Sequence, residues 1–228
     1  MDKLYLYINI FTISLPFLLS FDKKVAFYKS WKYLFPAIFI MAFVFIGKDA
    51  IFAHYGIWGF NDDYLIGIRM LGLPLEEWLF FFTVPYACVF IYACLVAYLK
   101  TNPLEKFHRP FLLILSVVLI LTGLVFYDRM YTSIIFIATA ALILFNLYTR
   151  QPWLSMFLLS FFVSMIPFFL VNGILTGSFI ENQVVWYDPG QNLGIRMFTI
   201  PIEDSVYNLM MLMMTVQLME WFRKKKYW

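Results

Sequence analysis

The sequence predicts an all-α integral membrane protein, with seven transmembrane helices built from two parallel three-helix repeats plus a linking helix. Three observations predict it. Hydrophobic residues make up 63% of the 228 and charged residues 14%, a balance foreign to soluble globular domains. Apolar runs near the roughly 17–25 residues that cross a bilayer occur at 3–21, 33–53, 75–99, 111–127, 131–149, 153–175 and 200–222. Finally, Gly67-Ile68-Arg69-Met70-Leu71-Gly72-Leu73-Pro74-Leu75-Glu76-Glu77 returns 127 residues later as Gly194-Ile195-Arg196-Met197-Phe198-Thr199-Ile200-Pro201-Ile202-Glu203-Asp204.

The first run follows Lys3 and has no small-residue cleavage site, so it reads as a retained span rather than a signal peptide. Lys23, Lys24, Lys29 and Lys32 follow it. Lys100, Lys106 and Arg109 follow the third run, Arg150 the fifth, and Arg223, Lys224, Lys225 and Lys226 the seventh. Twelve basic residues thus gather on one side, and only Lys3, Lys48, Arg69, Arg129 and Arg196 fall on the other. The positive-inside rule places the C-terminus in the cytoplasm and the N-terminus outside, with Lys224 to Lys226 as a cytoplasmic anchor.

The repeated motif divides the chain into repeat A (1–99), a linking helix (100–130) and repeat B (131–228). Four spans separate equivalent helices, so both repeats run in the same direction. Joining two three-helix units in one orientation takes an odd number of extra crossings, which the fourth run supplies. Loops 54–73 and 176–199, with the Asp128-Arg129 turn, then share one membrane face. In those loops Trp58 lies nine residues before Gly67 and Trp186 eight before Gly194, an expected counterpart pair. Asp49 and Asn172, near the ends of the second and sixth runs, form a weaker one. Pro85 and Pro167 are expected to kink the third and sixth helices.

Charge placed in hydrocarbon costs about 2.5–3.5 kcal/mol per residue on insertion scales, so intramembrane ionisable residues are functional candidates. Pro74 and Pro201 suit a first helical turn, and acids there suit the helix dipole. A single Pro-x-Glu-Glu could be only a helix start; two copies, each seven residues after an Arg, point to a site. The candidate catalytic residues are therefore Glu76, Glu77, Glu203 and Asp204. Neighbouring helical residues diverge by about 100°, so one acid of each pair is expected to face a cavity and the other to pair with Arg69 or Arg196. Carboxyls clustered in an apolar pocket would hold at least one proton, giving a general acid beside carboxylate bases. Asn208, four residues past Asp204, is placed to hydrogen-bond it. Most aromatic residues are lipid-facing or interfacial. Trp58, Trp78, Phe82, Tyr86, Trp186, Tyr187 and Tyr207 are nevertheless expected near the acids, where ring faces stabilise cations.

Other signals are bland. The chain has no phosphate loop and no dinucleotide fingerprint, so no cofactor is expected. The net charge of +3 belongs to membrane orientation and implies no nucleic acid. Cys88 and Cys94 read as small buried apolar residues. His54 and His108 lie far apart, and Asn61-Asp62-Asp63 reads as a solvated turn with no matching acidic cluster, so no metal is expected.

At Pro74-Leu75-Glu76-Glu77 and Pro201-Ile202-Glu203-Asp204 the chain resembles the small membrane lycopene cyclases of the heterodimeric type. Glu77-Trp78-Leu79-Phe80-Phe81, Val185-Trp186-Tyr187 and Leu193-Gly194-Ile195-Arg196 running into Thr199-Ile200-Pro201 extend the resemblance. It covers essentially the whole chain, which looks like a fusion of two three-helix subunits. The resemblance implies a bacterial cytoplasmic-membrane enzyme with lycopene as substrate, the bilayer as surroundings and other carotenoid-pathway enzymes as neighbours. It also implies lycopene β-cyclase activity: a non-redox isomerisation through γ-carotene to β-carotene, carried by Glu76, Glu77, Glu203 and Asp204. Beyond the resemblance, Arg69 and Arg196 are expected to orient or charge-balance these acids. A hydratase trapping the same cation with water, and a seven-helix proton-coupled transporter or receptor, are the competing readings.

Overall fold

The structure is a computed structural model that describes residues 3–224; Lys225 and Lys226, expected in the cytoplasmic anchor, lie outside that range. The seven apolar runs become α1 (Leu4–Leu19), α2 (Trp31–His54), α3 (Leu75–Tyr98), α4 (His108–Val125), α5 (Met130–Tyr148), α6 (Leu154–Leu175) and α7 (Ile202–Lys224). Five of them, α2 to α6, are long and apolar enough to cross a membrane. The other two differ for separate reasons. With 16 residues, α1 spans about 24 Å at 1.5 Å per residue, short of the hydrocarbon core. α7 carries Asn208, Thr215, Gln217 and Glu220 besides its first-turn acids. It tolerates them because Val206 through Met213 are all buried, so its surroundings are protein on every side.

The packing has a pseudo-two-fold pattern. α1 lies on α3 as α5 lies on α7, while α2 packs on α7 and α6 on α3 across the two halves. α4 stands apart, against α5 and the flank of α6. Pro85 and Pro167 lie inside α3 and α6 as expected, and Pro16 and Pro36 lie inside α1 and α2.

The two long loops are not structureless. Each carries a strand, a 3-10 turn and a two-stranded hairpin before its helix: β1 (Trp58–Phe60), β2 (Arg69–Met70) and β3 (Leu73–Pro74), then β4 (Val185–Tyr187), β5 (Arg196–Met197) and β6 (Ile200–Pro201). The 127-residue offset holds from β1 through the start of α3, which corrects the expected pairing of tryptophans. Trp58 aligns with Val185, Gly59 with Trp186, and Phe60 with Tyr187. β1 and β4 pair antiparallel with Trp58 opposite Tyr187, Gly59 opposite Trp186 and Phe60 opposite Val185. The pairing is symmetric about Gly59 and Trp186, as a two-fold contact requires. Arg129 reaches the Asn192 carbonyl and the Met130 amide reaches Gln191, so the Asp128-Arg129 turn joins this same end of the bundle.

Pro74 and Pro201 lie one residue earlier than expected. They end the hairpins, opposite Arg69 and Arg196, and Pro74 is the extended N-cap of α3 rather than part of its first turn. The hairpin leaves the chain extended at the proline, which cannot donate to a ladder but fits a strand end.

Candidate active site

Starting the helices at Leu75 and Ile202 puts two acids in the first turn of each, all four buried. Their side chains part as helical geometry demands. Glu76 accepts from the Ile66 amide at 2.6 Å, and Glu203 from the Leu193 amide at 2.7 Å and Thr132 Oγ1 at 2.6 Å. Both turn toward their own loops and away from open space. Glu77 and Asp204 instead line one apolar cavity of about 430 Å³. Two carboxyls, not four, reach that cavity, and they share it.

The expected arginine pairing does not occur. Arg69 binds Asp62 at 2.6 Å and the Gly72 carbonyl, and Arg196 binds the Thr199 carbonyl. Each guanidinium closes its own exposed hairpin, because the β-turn carbonyl three residues on lies nearer than the buried acid. Asn61 caps the solvated turn by accepting from the Asp63 amide, as Asp188 does for Gly190.

The partners of the cavity acids are tyrosines and an amide. Tyr5 donates to Glu77 at 2.5 Å. Its counterpart in the second half, Tyr131, donates to Asp204 at 2.5 Å, and Asp204 also accepts from Tyr187 at 2.7 Å and Asn172 at 2.8 Å. Burial first, and the adjacent Asp204 second, push the Tyr187 hydroxyl well above the usual phenol range, keeping it a donor. Asp204 is thus held by three donors and Glu77 by one. Hydrogen bonds to a charged group contribute about 1.5–3 kcal/mol each, so the two acids differ in how well they carry charge.

Of the expected pocket residues, Trp58, Tyr187, Tyr207, Asn172 and Asn208 line the cavity. Asn208 makes no bond to Asp204; its Nδ2 is buried without a partner. Asp49 lies behind the wall, accepting from the Tyr207 hydroxyl at 2.6 Å. Four aromatic residues lie elsewhere. Trp78 donates to the Met70 carbonyl, Phe82 packs edge-on against Phe39, and Tyr86 bonds Ser20 and Trp31 farther along the bundle. Trp186 lies over Gly59, 38% exposed, where any Cβ on the glycine would strike its ring. Residues not anticipated include Tyr5, Tyr131, Phe60 and Phe80 in the wall and Lys48 beside Asp49. Tyr5 and Tyr131 had a signal: they precede their acids by 72 and 73 residues, so the repeat extends to them.

The cavity runs sideways. Phe11 and Leu15 of α1 and Leu170 of α6 line it yet are 69%, 63% and 50% exposed on the outer surface. It therefore opens between α1 and α6 onto the apolar flank. An acid, a carboxylate better suited to charge and a ring of aromatic faces, all reached from the apolar phase, suit proton transfer to and from a hydrocarbon.

The family profile described as lycopene cyclase matches residues 2–95 and 128–222, leaving out α4. A search among curated proteins and solved structures gave no match.

Proposed function

This chain belongs to the lycopene cyclase family, and on that premise we propose that it is a lycopene β-cyclase, closing β-ionone rings at the ψ-ends of lycopene by an isomerisation. The family supports an enzyme of carotenoid cyclisation acting on a lycopene carotenoid, and the apolar helices support a membrane protein. One observation carries the finer reading: the second acid of each repeated motif lines the same cavity.

In this proposal one ψ-end slides between α1 and α6 to the acids. Glu77, with a single hydrogen-bond donor, acts as the protonated acid. Its O–H bond breaks as the proton adds to the terminal alkene, leaving a tertiary cation. The internal double bond attacks that cation and closes the six-membered ring. Asp204, ionised and held by three donors, removes the proton from C6 and forms the β-ring double bond. The rings of Trp58, Tyr131 and Tyr187 contain the cation, as aromatic faces do, and exclusion of water disfavours hydration. Glu76 and Glu203 tie loops to helices and so aim their neighbours.

The same proposal takes residues 1–99 and 131–228 as the two repeats, 100–130 as the link, and all seven helices as spans. The short α1 and the polar α7 are then accommodated by neighbouring helices, with the N-terminus outside and the C-terminus cytoplasmic. The test is pigment analysis of a lycopene-accumulating bacterial host expressing the chain. Conversion to a product of equal mass, identified chromatographically as γ- or β-carotene, supports the reading. Persistent lycopene with the protein inserted overturns it, and a product heavier by water identifies a hydratase.

A further inference from the structure

The residues that line the cavity give it a direction as well as an opening. On α3 they run from Glu77 through Phe80, Val84 and Ala87 to Ile91, the three- and four-residue steps of one helix face. On α1 they run from Tyr5 to Leu19. Each stretch advances about 14 residues, or about 21 Å at 1.5 Å per residue. α6 walls only the part nearest the acids, from Leu175 back to Pro167, about 12 Å. Leu19, Phe90 and Ile91 mark the far end, with buried Phe27 edge-on behind Phe90. The acids therefore stand at one end of a slot lying along the helices. Spread over that length, the volume of about 430 Å³ leaves a mean cross-section of about 20 Å², room for one chain. Along the slot Thr12 and Ser14 turn their hydroxyls back to the Ile8 and Ile10 carbonyls of their own helix, which leaves the wall there suited to a hydrocarbon.

On the cyclase reading above, we propose that this slot seats one half of an acyclic C40 polyene lengthwise. Each visit then closes one ring, and the half-cyclised product is released before the second closure. An extended backbone advances about 3.3–3.6 Å per three bonds, so the roughly 31 bonds along a C40 polyene reach roughly 35 Å. With one ψ-end at Glu77 and Asp204, little more than half of that length fits between the acids and Ile91. The remainder leaves by the open α1–α6 side into lipid, and the second ψ-end lies about 14 Å beyond the slot. Both repeats place their second acid in this one cavity, so the distant end meets no second copy of the Glu77–Asp204 pair among the described residues. A conjugated chain is too stiff to double back within so narrow a slot. To close its second ring the molecule must leave, turn end for end and enter again.

Isotope dilution tests the release on the unaltered chain. Membranes containing the full chain receive ¹³C-labelled lycopene together with about a tenfold excess of unlabelled γ-carotene. Release mixes labelled γ-carotene into the pool, so labelled β-carotene per lycopene consumed should fall by about tenfold. Labelled γ-carotene as the sole labelled product is the limit of the same result. Labelled β-carotene at its undiluted yield overturns the proposal. The seat is tested by Ala87→Phe, which sets a ring across the slot about 15 Å from Glu77. Binding is read in the Glu77→Gln chain, where lycopene is not consumed, from the visible circular dichroism that an achiral polyene gains when protein holds it. That chain should bind one lycopene, and adding Ala87→Phe should weaken binding by about tenfold or more. Unweakened binding in the inserted double variant, or two lycopenes per chain, overturns the seat. Should the double variant fail to insert, the isotope dilution still decides. A wild-type chain that forms no ring refutes the cyclase reading itself, whatever the binding result.

Discussion

Replacing Glu77 by Gln, with Glu76→Gln as its neighbour control, separates chemistry from scaffolding at adjacent positions. Glu77 has one side-chain partner, the Tyr5 hydroxyl. The amide oxygen of Gln can keep accepting it, so the stability change should stay within about 1 kcal/mol. The amide cannot deliver a proton. Loss of a positioned acid lowers rates by about 10²–10⁴-fold, or roughly 3–5 kcal/mol of barrier at 1.36 kcal/mol per decade. Glu76 accepts only the Ile66 amide and lies off the cavity. Its Gln variant keeps an acceptor for that amide, so its stability should change by no more than about 1 kcal/mol and it should still turn over. Initial rates of ring formation come from membranes of a lycopene-producing host, normalised to inserted protein, with melting followed in detergent. Equal inactivation of both variants, or a Glu77→Gln rate close to wild type, would refute the assignment of the second acid in each motif to the chemistry.

Asp204→Asn should fall by a similar factor and also lose about 1–3 kcal/mol of stability, because its new N–H₂ must face either the one donor at Oδ1 or the two at Oδ2; product assays and melting read the two effects separately. Tyr187→Phe leaves Asp204 with two donors and should slow turnover by about tenfold, the equivalent of one hydrogen bond to a charged group. Arg69→Ala should leave turnover unchanged and stability within about 1 kcal/mol, since its ion pair with Asp62 is exposed; a dead variant would return the arginine to the site. Gly59→Leu should prevent the β1–β4 pairing by striking the Trp186 ring, and Trp186→Ala in the same chain should restore inserted, folded protein on gel filtration.

Much of this arrangement was legible in the chain. Hydrocarbon thickness makes apolar runs visible, and each of the seven runs holds one helix. The Pro-x-Glu-Glu and Pro-x-Glu-Asp copies likewise marked where the cavity lies. What could not be read was direction. Whether Glu76 or Glu77 faces inward depends on where Tyr5 comes to lie, and that is set by packing of α1 against α3. The arginines misled because a charge seven residues upstream suggests a partner, while the hairpin bends it back onto its own turn. Lys48 was counted with the loop cations, since a linear count cannot see an aromatic box closing over an ammonium. Trp186 was paired with Trp58 by residue type, although the 127-residue offset that fixes the motif already pairs it with Gly59.

The glycine and tryptophan facing each other on the pseudo-axis also restrict the protein's ancestry and self-association. Two copies of the N-terminal half would set glycine against glycine and leave a hole at the centre of the strand pair. Two copies of the C-terminal half would drive one indole into the other. Neither half can stand in for its partner at this point, so descent from a symmetric pair requires a divergence here. At this contact, only the unlike pairing fills the space without a clash.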